Sequence, residues 1–222
     1  MATRDSAYDK ILAAAAKLFA VNGYAATTTR MIVAEAGSSL SAIHAHFKSK
    51  EGIYDAVMAT TADTFYRLNE PLITEIRELE KSGTMTRDAA WNQIVMLTDH
   101  TIDWVYNPDY KYEILLMNQQ MIGLGDGSKR MPDSFFELYR MFERLFRSYT
   151  GDTVNDWPVK LAFYTVTSAF DGANYPHILE ALLGEKLEDK EGLTVMKSNL
   201  KNYLLTNMKA QLDLRCNVQD AK

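Results

Sequence analysis

The 222-residue chain is 47% hydrophobic and 24% charged, with a net charge of −5, a composition that suits a globular protein able to bury a substantial core. No apolar run approaches the roughly 20 residues of a membrane span. The opening "MATRDSAYDK" lacks the apolar centre of a signal peptide, and Cys216 is the only cysteine, so an intrachain disulfide framework is excluded. A cytoplasmic chain is expected, with Cys216 a passive residue. The acidic total hides an asymmetry: residues 1–50 hold six Lys/Arg against three acids, or +3, and the other 172 hold 18 against 26, or −8. That basic head on an acidic body keeps nucleic acid open as a partner despite the negative sum.

In chain order, the pattern predicts helix nearly throughout, with no stretch alternating at period two. Ile11, Ala15, Leu18 and Phe19 make a first apolar stripe that Asn22-Gly23 should end. The hydroxyls of Thr27–Thr29 offer caps to a short helix stopping at Gly37, and Ser39 caps another reaching about His46. From Glu51 a long stripe runs through Tyr54, Phe65, Leu72 and Leu79, with Pro71 expected to kink it. Further helices are expected over about 85–106, 110–122, 133–149, 157–183 and 193–213, separated by Gly-, Pro- and Asp-rich breaks. The expected fold is all-α: a three-helix head over residues 1–50 and a larger helical body over 51–222.

Two short helices joined by a tight glycine-containing turn make a helix-turn-helix unit. Val33, Gly37 and Ile43 stand where such a unit needs a crossing residue, a turn glycine and an apolar anchor. Its second helix is the one that enters the DNA major groove, about 12 Å wide, and the small polar residues of 38–46 suit that fit. "ILAAAAKLFAVNGYAATTTRMIVAEAG" followed by "SSLSAIHAHFKSKEGIYDAVM" resembles the DNA-binding head of the TetR family of transcriptional regulators. The matching elements include Leu18-Phe19, Gly23-Tyr24, Thr27–Thr29, Glu35-Ala36-Gly37, Ile43, His46-Phe47 and Ser49-Lys50-Glu51, within about residues 8–58.

The resemblance implies that Leu40, Ser41, Ala42 and His44 face bases and nearby phosphates. It implies that Thr28, Thr29 and Lys50 contact phosphate, with Lys48 able to add to them, and that Phe47 locks the recognition helix to the fourth helix. Three residues depart from the family pattern. His44 replaces a tyrosine, and histidine as a residue type changes charge near neutral pH; Val33 replaces an alanine and widens the helix crossing; Ser38 replaces an apolar residue of a small core. His44 and His46, at i and i+2, point to different faces and cannot share a metal. His46 reads as structural, and Leu40 either touches a thymine methyl or is simply exposed.

A single head makes too few contacts for operator specificity, so such proteins pair on two half-sites. The resemblance implies pairing of the last two long helices with their copies, with Phe170, Leu182, Leu200, Tyr203, Leu204 and Met208 as interface candidates; an intramolecular hairpin in a monomer is the alternative. Middle helices rich in Met and aromatic residues are mostly core but also suit an adaptable pocket. The TetR-like body is expected to hold a small molecule, with His100, Trp104, Met117, Gln120, Tyr164 and Asp171 as candidate contacts. Asp99, His100 and Asp103 fall within one turn without forming a shared catalytic face, and no nucleophile motif, phosphate loop or CxxC is present.

The expected function is a ligand-controlled homodimeric regulator, acting as a repressor on a near-palindromic double-stranded operator. No enzyme activity, cofactor, metal or membrane partner is expected. An activator or a nucleoid-like binder without a ligand is a variant of that reading. The alternative from another class is a helical ligand- or partner-binding protein whose diverged head no longer reads DNA.

Overall fold

A computed structural model of the chain describes residues 6–121, 133–151, 160–162, 164–165, 180–181, 184 and 190–219. Among these the structure is helical, with no strand. The helices are α1 (Ala7–Ala26), α2 (Thr29–Ala36), α3 (Leu40–His46), α4 (Lys50–Lys81), α5 (Arg87–Val105), α6 (Lys111–Met121), α7 (Asp133–Thr150) and α8 (Lys190–Gln219). A 3-10 turn, Pro108–Tyr110, precedes α6.

Local chemistry accounts for the first three helices. Ser6 and Asp9 form a capping box: the Ser6 hydroxyl accepts from the Asp9 amide, and the Asp9 carboxylate accepts from the Ser6 amide. The Ser6 hydroxyl, which donates to the Asp9 carboxylate at 2.6 Å, and the Ser6 amide together hold that carboxyl below its ordinary pKa. Gly23 does break α1, at φ 77° and ψ 164°, yet one more turn follows before the helix stops at Ala26. Buried Thr27 explains the extension, because its hydroxyl donates back to the carbonyls of Leu18 and Gly23. Thr28 is the residue that caps α2, and Ser39 caps α3. Between them Gly37 takes the left-handed conformation, φ 56°, that an L side chain rarely adopts.

The described chain divides into two compact units: Met1–Arg67 with Lys111–Phe135, and Leu68–Tyr110 with Phe136–Lys222. The boundary falls inside α4, which continues as helix through Pro71.

The core of the first unit is built from Ile11, Ala15, Phe19, Ile32, Ile43, Ile53, Tyr54 and Val57, with Leu116 of α6 buried among them. Each large apolar side chain so buried contributes about 1.5–3 kcal/mol. Phe47 is buried in this core and stacks on Tyr8 of α1 at 4.8 Å, while His46 meets the edge of the same ring at 5.9 Å. Val33 packs at the edge of the core and Ser38 is half-buried.

In the second unit Ile73 and Ile76 of α4, Ile94 and Leu97 of α5, Phe142 and Phe146 of α7, and Leu204 and Met208 of α8 are buried. Ion pairs tie the same helices across their surfaces. Arg77 reaches Glu137 at 2.6 Å, Arg87 reaches Asp213 at 2.8 Å, Lys197 reaches Asp103 at 3.1 Å and Lys201 reaches Asp99 at 2.7 Å. Burial alone would raise the pKa of Glu137, but Arg77, Arg144 and Arg140 outweigh it and hold the carboxyl below its ordinary range. Asp99 and Asp103 therefore act as exposed partners of α8 lysines.

Candidate nucleic-acid interface

α3 has one face that belongs to the core and one that does not. Ile43 is 1% exposed, whereas Leu40 is 42% exposed and Ser41 and His44 are also exposed. Leu40 and His44 stand four residues apart on one side of the helix, with Ser41 beside them. Ala42 is half-buried and contributes to the edge of the core. The Ser39 hydroxyl accepts from the Ala42 amide at 3.2 Å and lies 2.8 Å from the Ser41 hydroxyl, which fixes the first turn of α3.

The Thr28 hydroxyl accepts from the Met31 amide at 3.2 Å, and that leaves its own proton free to donate to an anion. Thr29, half-buried, begins the helix whose N-terminal amides favour negative charge. Lys48 is exposed and holds φ 68°, the only positive φ of a non-glycine residue among the described residues. Lys50 opens α4 half-buried, its Nζ donating to the Ala25 carbonyl at 3.3 Å and lying 4.3 Å from the centre of the Tyr24 ring. Lys17 is engaged elsewhere, with Glu35 at 2.6 Å; that hydrogen bond and charge raise its pKa.

Sequence reasoning passed over three residues here. Arg30 is exposed in the first turn of α2 and has no ion pair among the described residues; its place beside Thr28 and Thr29 was a usable signal. Gly52 sits so close to the end of α3 that an added Cβ would overlap the Phe47 carbonyl oxygen. Tyr8 covers Phe47 from α1. Neither of these last two had a signal, since their partners meet only on folding.

The candidate ligand contacts fall in both units. Met117 and Gln120 belong with the head, Met117 being 4% exposed and Gln120 donating its amide to the Tyr54 hydroxyl at 2.6 Å. His100 and Trp104 belong to the other unit, where Trp104 is 4% exposed. His100 is half-buried and donates to the Leu68 carbonyl, while its Nε2 is buried with no partner among the described residues. Burial, opposed by that hydrogen bond and by Asp103, lowers its pKa. Tyr164 is 69% exposed, and Asp171 lies outside the described residues. Of the pairing candidates, Leu204 and Met208 are buried within their own unit, Leu200 is half-buried and Tyr203 is 61% exposed. Phe170 and Leu182 lie outside the described residues. Among the described residues no helix is long and apolar enough to cross a membrane.

Residues 11–57 match the family model for bacterial regulatory proteins of the tetR family. No curated protein sequence matches the chain. Solved structures similar over nearly the whole length include a tetR-family regulatory protein from Rhodococcus RHA1, 18% identical, covering 92% of this chain and 98% of that one with a TM-score of 0.58. AmtR of Mycobacterium smegmatis is 21% identical, with coverage of 96% and 95% and a TM-score of 0.58. The fatty acid degradation regulator FadR of Bacillus halodurans is 14% identical, with coverage of 91% and 96% and a TM-score of 0.57. At these identities the structures show a shared fold, and the family match rests on the head. Residues 11–57 thus match the model of the tetR family of bacterial regulatory proteins, and the chain shares the fold of solved tetR-family regulators.

Proposed function

We propose that the protein is a one-component transcriptional regulator that binds a near-palindromic operator as a homodimer, acts as a repressor and is controlled by a small molecule. Residues 1–50 supply the DNA contacts, and residues 51–222 supply ligand binding and pairing. The observation that carries this reading is the two-sided α3: Ile43 is buried, Leu40, Ser41 and His44 are exposed, and Arg30, Lys48 and Lys50 flank them. Base edges are read from the exposed side of such a helix, and flanking cations hold its register on phosphates. Such a regulator works in the cytoplasm, on the chromosome.

Pairing is supported by α8, where Val195, 45% exposed, and Tyr203, 61% exposed, leave apolar surface on the outside of the unit. Ligand control is supported by buried polar groups in the body, His100 Nε2 and Gln93 Oε1, which suit hydrogen bonding to a bound molecule. The test is a titration of duplex DNA at several salt concentrations with the wild type and Leu40→Ala. A preference for one sequence that shifts with Leu40→Ala supports direct reading by α3. Binding indifferent to sequence in both proteins contradicts it and leaves a nucleoid-like binder. The second reading is a ligand- or partner-binding protein with a silent head; it is favoured by the departures from the family pattern at Val33, Ser38 and His44, and it requires that no DNA bind at all.

A further inference from the structure

We infer that Tyr24 is the positioning residue for a DNA-phosphate contact made by Lys50, and that Gln120 of α6 holds Tyr24 in place through Tyr54. The inference rests on the DNA-binding reading above.

A lysine ammonium has three donors on a flexible four-carbon stem, and ordering that stem costs rotamer freedom. In this head the stem is already ordered. One N–H of Lys50 goes to the Ala25 carbonyl at 3.3 Å, the Tyr24 ring lies 4.3 Å from Nζ, and the ammonium keeps a further donor for an anion. Ala25 sits at the C-terminal end of α1, where a cation meets the negative end of the helix. Thr28 follows three residues later, at most about 10 Å along the chain. The same corner therefore holds a pre-ordered ammonium, the Thr28 hydroxyl and the first amides of α2.

The pose of Tyr24 follows from the break at Gly23. Its ring packs against Phe19 at 5.7 Å and against the Tyr54 ring at 4.8 Å and 67°. Tyr54 is 1% exposed, sits edge-on to Phe19 at 5.1 Å and accepts the Gln120 amide at 2.6 Å. The preceding residue of α6, Gln119, donates to the Ala20 carbonyl at 2.6 Å, one turn of α1 before Tyr24. Two adjacent glutamines of α6 thus grip α1 and the tyrosine pair together. A movement of α6 that takes Gln120 off Tyr54 loosens the seat of Lys50, which gives α6 a route to DNA affinity that leaves α3 untouched.

The experiment is a double-mutant cycle on random-sequence duplex DNA, a probe that reports phosphate contacts without needing the operator. Lys50→Ala should weaken binding and reduce the log–log salt slope by about one. Tyr24→Leu should weaken binding roughly three- to tenfold, while Tyr24→Phe, which keeps the ring, should stay within about twofold of wild type. Gln120→Leu and Tyr54→Phe should each cost roughly two- to threefold, and the double variant should lose less than their sum, since both remove the Gln120–Tyr54 hydrogen bond. In a Lys50→Ala background all three losses should vanish.

Losses that persist undiminished in that background overturn the inference, as does an unchanged salt slope for Lys50→Ala. If Tyr24→Leu fails to fold by thermal melting, the Gln120→Leu and Tyr54→Phe pair decides alone. A folded wild type that binds no duplex overturns the DNA-binding reading and this inference with it; a wild type that binds, with losses independent of Lys50, overturns the inference only.

Discussion

In the head unit Arg30 and Lys48 stand exposed with no ion pair among the described residues, whereas in the other unit Arg77, Arg87, Lys197 and Lys201 each reach a carboxylate on a neighbouring helix. The acidic excess of the second unit is thus partly engaged in holding its own helices in register. In the head Lys17 is paired with Glu35 and Lys50 is seated on Ala25 and Tyr24, so the contrast rests on Arg30 and Lys48. Unneutralised cations beside a helix with one exposed face imply an external anion, while cross-helix pairs at a surface imply only modest stabilisation, about 0–1 kcal/mol each. The sign of charge says less than what the charge meets. A net charge of −5 is therefore compatible with the DNA-binding surface proposed for the head.

The contrast is broken most severely at a glycine. Gly52→Ala places a methyl group on the Phe47 backbone and should cost the head about 3 kcal/mol, seen as a lowered melting transition and lost DNA binding. Gly83, in the turn after α4, also rejects side chains but for conformation alone, since its φ is +68° and the space is open. Gly83→Ala should cost about 1 kcal/mol and leave DNA affinity unchanged. Equal costs at the two glycines would contradict the close packing of α3 on α4.

Glu137→Gln sharpens the comparison from the body side. It removes the charge that Arg77, Arg140 and Arg144 share and should destabilise by about 1–3 kcal/mol, read by urea denaturation, with DNA binding intact. Arg30→Ala should do the reverse: a stability change within about 0.5 kcal/mol and a salt slope of DNA binding smaller by about one. A destabilised Arg30→Ala would mean that this cation works inside the head.

The smallest effect concerns His100, whose pKa is lowered from 6.5 mainly by burial. As pH falls, the unfolded chain takes up this proton before the folded one does. The stability from this group is therefore full above about pH 6.5 and declines as pH drops toward the folded value. His100→Gln should flatten the melting temperature between about pH 7 and about pH 5 relative to wild type. An unchanged profile would show that His100 is not the group responsible.

Elements whose causes lie within a few residues were legible beforehand. The caps at Thr28 and Ser39 and the left-handed Gly37 depend on their immediate neighbours, and short-range chemistry finds them. Apolar stripes were equally visible, but a stripe says that a face is buried and not what buries it. The stripe alone points Leu204 and Met208 toward a partner copy, whereas both are buried within their own unit. Gln120, a candidate ligand contact by sequence, donates to the Tyr54 hydroxyl. The sequence places Asp99 and Asp103 within one turn but does not show their lysine partners, which arrive from α8 about 100 residues later. Long-range partners follow from packing, which helical period does not encode.

The central claim, that α3 reads a sequence in pairs, is tested most directly by selection. The purified full chain would be incubated with a random duplex library, and the retained DNA sequenced. The account predicts an enriched inverted repeat with half-sites set by a two-fold symmetric dimer. No enrichment from a sample shown to be folded and dimeric would contradict it.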